Sequence, residues 1–232
     1  MVITLPKKPS SPPDRPRILI NCAASLDGKI AFAEGAPANL SSKEDLARVH
    51  KLRNSVDAIL VGVGTVLADD PSLAVKRGSV RGKHRTPLKI ILDSSCRTPP
   101  DARVLGSPGK TLVVTAEECV SSVPDAEMLR CGSGKVDIGR LLSTLRARGI
   151  KRVLVEGGGN VIWSFLAAGL WDEMTIYYTP LVIGGTLSPT IADGPGATGP
   201  DGMVRVRTVS LRNHSAGLLV RFAPATGRSR KR

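Results

Sequence analysis

The sequence is poor in aromatic residues, in histidine and in closely spaced cysteine. Aromatics make up 3% of its 232 residues, too few for the stacking platforms that hold single-stranded nucleic acid. Three histidines, His50, His84 and His214, stand far apart, with no triad pattern and no zinc spacing. The four cysteines, Cys22, Cys96, Cys119 and Cys131, contain no CxxC pair, and they are expected to be reduced core or surface thiols. The H-x-E and P-C-x-x-C signature of zinc deaminases is missing. So are the Walker A lysine and the G-x-S-x-G elbow. Metal-dependent deamination, P-loop phosphoryl transfer and serine hydrolysis are therefore excluded, and no metal site is expected. No apolar run approaches the ~18–20 residues of a membrane span. The opening MVITLPKKPSSPPDRPR has no apolar segment of secretory length, so a cytoplasmic protein that meets no membrane is expected.

What is present is a 41% apolar chain with 33 basic against 20 acidic residues, a formal charge of +13. A positive field rewards either nucleic acid or a small polyanionic ligand. The scarcity of aromatics favours the small ligand, and no nucleic-acid partner is expected. Part of the excess is the terminal GRSRKR, read as a solvated tail. Residues 1–16 hold five prolines and read as a flexible arm. This divides the chain into an arm (1–16), one domain (17–223) and a basic tail (224–232).

Within that domain strand and helix patterns alternate. Arg17 to Ala24 is a β-rich run followed by a turn at Asp27-Gly28. Ser41 and Glu44 have the spacing of a capping box. The helix after them places Leu46, Val49, His50 and Arg53 on one stripe, with Leu46 and Val49 toward the core. Val56–Val63, Leu88–Leu92 and Thr111–Thr115 are short apolar runs, typical of strands buried on both faces. Asp137–Arg148 reads as a helix closed by Gly149. Arg152–Val155 is a strand, the helix after it runs from Asn160 to about Gly169, and Met174–Tyr178 is a strand. Runs around 203–211 and 216–222 form a hairpin. The fold class is α/β, a mostly parallel central sheet flanked by helices, with an antiparallel C-terminal hairpin.

Four places could carry chemistry. At Val155–Asn160 a strand runs through Glu156 and Gly157-Gly158-Gly159 into a helix, removing every Cβ where a phosphate could reach free N–H groups at the helix start. Close strand–helix packing would use the same residues. Glu156 stands where α/β sheets place ligands, or is a solvated edge carboxylate. In GVGTVLADDP (62–71), Thr65 and Asp69 are four apart on one helix face and could both meet a ligand; Thr65 is equally a good N-cap. Arg53, with Lys76 and Arg77, implies an anionic partner, either a ligand phosphate or an internal acid. Asn21, an amide on an apolar strand, wants partners and could read a heterocyclic edge or bond to backbone.

ASLDGK (24–29), EDLARVHKLRNSVDAILVGVGTVLADDPSL (44–73), ILDSSCRTP (91–99) and LVEGGGN (154–160) together resemble the reductase family of the riboflavin pathway. They are most similar to its stand-alone archaeal branch, which reduces 2,5-diamino-6-ribosylamino-4(3H)-pyrimidinone 5′-phosphate. The resemblance runs from about residue 17 to 222. It implies a dihydrofolate-reductase-like fold, NADPH as hydride donor, a phosphorylated pyrimidine as substrate, and a homodimer, with 174–183 a guess at the interface. It makes Thr65 and Asp69 cofactor-side residues, with Asp69 the acid nearest the chemistry. It sets Asp93 and Ser94 at the adenosine half and Gly157, Gly158, Gly159 and Asn160 at the pyrophosphate. Asn21, Arg53, Leu73, Lys76 and Glu156 would line the substrate, with Arg53 and Lys76 at its 5′-phosphate. The zinc deaminase half of bacterial relatives is absent, and Lys76 replaces an arginine. A pterin or dihydrofolate-type reductase on the same fold, with Glu156 or Asp27 as the ring's carboxylate, and a basic nucleic-acid-binding module are the alternatives.

Overall fold

The computed structural model describes residues 14–80 and 82–225. Most of the expected arm and all of the tail beyond 225 lie outside them. The elements in chain order are β1 (Arg17–Ala24), α1 (Lys43–Arg53), β2 (Ala58–Gly62), α2 (Val63–Asp69), β3 (Leu88–Leu92), α3 (Arg103–Gly106) and β4 (Thr111–Thr115). They continue with β5 (Glu127–Arg130), α4 (Ile138–Ala147), β6 (Arg152–Val155), α5 (Gly159–Ala167), β7 (Glu173–Tyr178), β8 (Val206–His214) and β9 (Gly217–Pro224). The strands form one 9-stranded sheet in the order β5-β4-β3-β2-β6-β1-β7-β9-β8. Every pair from β5 to β7 is parallel, and β9 and β8 close the far side antiparallel. This is the expected mostly parallel sheet with an antiparallel C-terminal hairpin.

Parallel strands need crossovers, so the helices divide between the two faces. On one face Leu141, Leu142 and Leu145 of α4 and Ile162 and Phe165 of α5 pack over Ile18, Ile20, Leu60, Val153 and Val155. On the other, Val63 and Val66 of α2 and Val104 and Leu105 of α3 pack over Leu19, Ile59, Val61, Ile91 and Leu154, with Leu52 of α1 beside them. β2 and β4 are buried along their whole length, as continuous apolar runs require. All the parallel strands therefore end on one rim, and that rim is where the loops converge.

Local details depart from the sequence reading. The N-cap of α1 is Ser42, whose hydroxyl accepts from the Asp45 amide at 3.1 Å; Ser41 instead donates to the Asp45 carboxylate at 2.9 Å. Leu46 is 50% exposed while Asp45 is 1% exposed. The buried stripe is thus shifted by one position, because Asp45 is held by Ser41 and by Arg48 at 2.7 Å. β2 is shorter than Val56–Val63: Val63 already opens α2, with Gly62 as N-cap rather than Thr65. β5 and α3, of four residues each, carried no legible pattern. β9 runs through Pro224, which pairs with Val206. The cysteines are not all reduced: Cys96 and Cys119, 23 residues apart, form a disulfide, and only Cys22 and Cys131 are free. Sequence distance hid that the loops after β3 and β4 meet. No helix among the described residues is long and apolar enough to cross a membrane.

Candidate active site

A cleft of about 520 Å³ opens at the carboxyl rim of the sheet. One wall is the turn from β6 into α5. Gly157 and Gly158 have φ of 148° and 79°, conformations that L side chains rarely take. A Cβ on either would stand 3.4 Å from the Thr65 hydroxyl, and one on Gly159 would fall 2.5 Å from the Thr190 carbonyl and from Asp193 Oδ2. Gly157 and Gly158 are therefore required by their backbone conformation, and Gly159 because the 190–193 segment presses against it. Gly158 is the N-cap of α5 and no side chain caps that helix, so its first N–H groups and its positive dipole end are left for a ligand.

α2 forms the facing wall. Thr65 and Asp69, one turn apart, both line the cleft. Asp69 is an exposed residue, yet partial desolvation of its carboxyl against the cleft wall pushes it above the usual range. Ser94, Ser95 and Arg97, from the loop after β3, close one end. The opposite side carries Ile30, Ala31, Pro189 and Asp193. This side is stapled through the 25–30 turn. The Asp27 carboxylate accepts from Ser25 Oγ at 2.6 Å and from the amides of Ile183 at 3.1 Å and Gly184 at 2.7 Å. Those bonds, the Ser25 hydroxyl first, hold Asp27 down at about 2. Ile30 N donates to Pro189 O at 2.9 Å, Ile191 N to Gly28 O at 3.2 Å, and Lys29 Nζ to Ser188 O at 3.0 Å.

A family model for the RibD C-terminal domain matches residues 16–220. The chain belongs to that family. A 2,5-diamino-6-ribosylamino-4(3H)-pyrimidinone 5′-phosphate reductase from Archaeoglobus fulgidus is 44% identical over 191 residues, covering 78% of this chain and 87% of the relative. The protein of the same description from Methanothermobacter thermautotrophicus is 40% identical over 190 residues, covering 78% and 86%. Among solved structures, a Thermotoga maritima diaminohydroxyphosphoribosylaminopyrimidine deaminase/5-amino-6-(5-phosphoribosylamino)uracil reductase superposes with a TM-score of 0.73 at 28% identity. That match covers 91% of this chain and 57% of the other. The sheet, with its antiparallel far edge, is thus the dihydrofolate-reductase-like fold of these reductases.

In this RibD C-terminal domain the cleft gathers Thr65, Asp69, Ser94, Glu156, Gly157, Gly158, Gly159 and Asn160, and it leaves out the other residues expected there. Asp93 is fully buried and does not line the cleft: its Oδ2 accepts from the Thr98 amide and hydroxyl, both at 2.7 Å, which fixes the loop base, while its Oδ1 has no partner among the described residues. Leu73 is 2% exposed and packs in the core, at a φ of 52°. Arg53 and Glu156 bind each other: Nε to Oε1 is 2.9 Å and Nη2 to Oε2 is 2.6 Å, while Nη1 donates to Ala74 O at 3.2 Å. The internal acid paired with Arg53 is therefore Glu156. Lys76 lies exposed nearby, its amide donating to His50 Nδ1 at 3.3 Å. Burial first, then Arg53 and Lys76, lowers the His50 imidazole. Asn21 is 6% exposed and its Oδ1 has no partner among the described residues; it sits on β1 one step past the Ile20↔Val155 pair that precedes Glu156.

Sequence reasoning missed Ser95, Arg97 and Asp193. The first two had a signal, being neighbours of Ser94 in ILDSSCRTP. Asp193 had none, since only the folded loop brings it to Gly159.

Proposed function

We propose that this chain uses NADPH to reduce 2,5-diamino-6-(5-phosphoribosylamino)pyrimidin-4(3H)-one to its ribitylamino product, in the cytoplasm and as a homodimer. The observation that carries the reading is the uncapped N-terminus of α5 behind a glycine turn that Thr65 overlooks. A dinucleotide pyrophosphate needs this combination of bare N–H groups and close backbone approach. The archaeal relatives' substrate supplies the rest.

The residues present fit such a cofactor. Gly157 to Asn160 would hold its pyrophosphate and Thr65 would stand beside it. Ser94, Ser95 and Arg97 would meet the adenosine half, with the exposed Arg97 guanidinium suited to a 2′-phosphate. Bound there, NADPH supplies a hydride to the electrophilic C1′ of the opened ribosylamine. Asp69 would hold the proton that the reduced imine needs: its raised pKa keeps the carboxyl protonated to higher pH than that of a fully solvated aspartate. Arg53 fixes Glu156 at the rim, and Asn21 offers a buried acceptor to an exocyclic amine. Lys76, beside His50, is the cation left for the 5′-phosphate.

The test follows NADPH absorbance with the phosphorylated ribosylaminopyrimidine and with dihydrofolate in parallel. Oxidation with the first alone is expected; oxidation with dihydrofolate alone would replace this reading by a pterin reductase. That alternative needs a free carboxylate for the ring, yet Asp27 is held by Ser25 and two amides and Glu156 by Arg53. For the dimer, β7 is interior, between β1 and β9, whereas the edge strand β8 exposes Val206, Val209 and Leu211. An Arg residue placed at 211 should yield monomers by light scattering.

A further inference from the structure

Cys96 and Cys119 take no part in the chemistry above. Cys96 stands in the loop after β3 and Cys119 in the loop after β4, its parallel neighbour. Their Cα atoms are 6.1 Å apart and the two are bonded, at a separation disulfides commonly span. The bond's location gives it consequence: Cys96 lies between Ser95 and Arg97, both of which line the cleft.

The base of this loop is fixed by the two bonds from Thr98 to Asp93. Val136 N anchors Ser94, donating to its Oγ at 3.1 Å. The other bonds of the tip, Cys96 N to Asp93 O at 3.3 Å and Ala116 N to Ser94 O at 3.4 Å, are long for N–H···O bonds. Cys96 itself has a φ of 55°, a left-handed conformation that a non-glycine residue keeps only when its surroundings impose it. The disulfide is the strongest link between this tip and the rest of the fold. The free cysteines are poor competitors for exchange: burial pushes the Cys22 thiol up to about 12 and raises Cys131 as well.

We propose that Cys96 and Cys119 form a reversible thiol–disulfide site that sets how tightly the adenosine end of the cleft holds NADPH. The proposal rests on the cofactor reading above. Its reductant is a dithiol. One thiolate of the dithiol attacks Sγ of Cys96, the less buried of the two residues, the Cys96–Cys119 bond breaks, and Cys119 leaves as a thiolate that takes a proton. The second dithiol sulfur then attacks the mixed disulfide and releases Cys96, also protonated. Two electrons and two protons pass to the protein, and the dithiol becomes a cyclic disulfide. With the tip released, Ser95 and Arg97 must be ordered again at each binding event, so the reduced form binds more weakly.

The test uses the full chain, after treatment with oxidised glutathione or with excess dithiothreitol. Thiols counted in denaturant should be two and four per chain, and the NADPH dissociation constant by fluorescence titration should rise about 5- to 10-fold on reduction. The Cys96→Ser/Cys119→Ser protein should bind like the reduced form under both conditions. Four thiols after the oxidising treatment, or affinities equal within twofold, would overturn the proposal while leaving the cofactor reading intact. Failure of both forms to bind NADPH would overturn the two together.

Discussion

The two halves of the cleft are built in opposite ways. At the β6–α5 turn the recognition surface is main chain: an uncapped helix start and three glycines, two at a φ that side chains rarely adopt and the third pressed by the 190–193 segment. Under α1 it is side chain, and the charges there are already occupied, with Arg53 clasping Glu156 across 103 residues of sequence. A bare turn waits for an anion; a paired cluster presents one fixed carboxylate and leaves the neighbouring Lys76 outside. The difference separates the half that grips a common cofactor from the half that must be shaped for one substrate.

Breaking the charged half should have the largest effect on the fold. Glu156→Gln leaves the Arg53 guanidinium, with 16% of its side chain exposed, beside a neutral group. Loss of one partner from a largely buried pair costs about 3 kcal/mol, measured as a shift in the urea midpoint at constant slope. Replacing both, Arg53→Met with Glu156→Leu, should recover most of that stability while activity stays lost. If Glu156→Gln is as stable as the parent, the pair does not organise this half.

Breaking the bare half should cost cofactor instead. Gly158→Val puts a β-branched residue at a φ of 79°, with its Cβ 3.4 Å from the Thr65 hydroxyl. The NADPH dissociation constant should rise about 100-fold, or about 2.8 kcal/mol, by calorimetric titration. Unchanged affinity would mean that the turn is only a packing device.

Asp69, on the wall between the halves, sharpens the contrast. Asp69→Asn should lower kcat about 100-fold and leave NADPH affinity within twofold. Because burial raises its pKa, the parent's kcat should fall as pH climbs through that value, and the variant should lose this limb. The same shift has a stability sign: a raised carboxyl pKa favours the fold at low pH and opposes it once the group ionises. The variant should therefore be more stable at neutral pH, by no more than a few tenths of a kcal/mol for a half-exposed group. A drop in NADPH affinity alone would make Asp69 a cofactor ligand and no proton donor.

The same contrast explains what was legible in the sequence. Arg17–Ala24, Leu88–Leu92, Thr111–Thr115 and Arg152–Val155 match their strands residue for residue, because buried parallel strands are unbroken apolar runs. Thr65, Asp69 and the glycine turn were legible because i,i+4 spacing and consecutive glycines are local facts. Val63 was misread as strand since an apolar residue serves a buried helix start equally well. Leu46 was expected toward the core, yet its neighbour Asp45 is the buried residue because Ser41 and Arg48 satisfy it. The Arg53–Glu156 pair, the Cys96–Cys119 bond and the approach of Asp193 to Gly159 all depend on which loops converge at the rim, and a pattern read along the chain does not encode that.

The smallest effect belongs to the 25–30 turn, which ties the third wall to both halves. Asp27 is exposed, yet the Ser25 hydroxyl and two amides hold its carboxyl down at about 2. A depressed pKa means that the ionised form is the one bound, so the staple is complete above the ordinary carboxylate range and is lost as pH falls from about 4 toward 2. Asp27→Asn removes one acceptor and turns an N–H₂ toward the Ile183 or Gly184 amide. Exchange of those two amides should speed up several-fold, and the KM for NADPH should rise by about twofold with kcat unchanged. Since Ile30 N and Pro189 O, and Ile191 N and Gly28 O, still join the turn to the loop, the wall should loosen at 183–184 and hold at 188–193. Faster exchange at Ile191 as well would show that the wall moves as one piece, and that the third side of the cleft hangs on a single carboxylate.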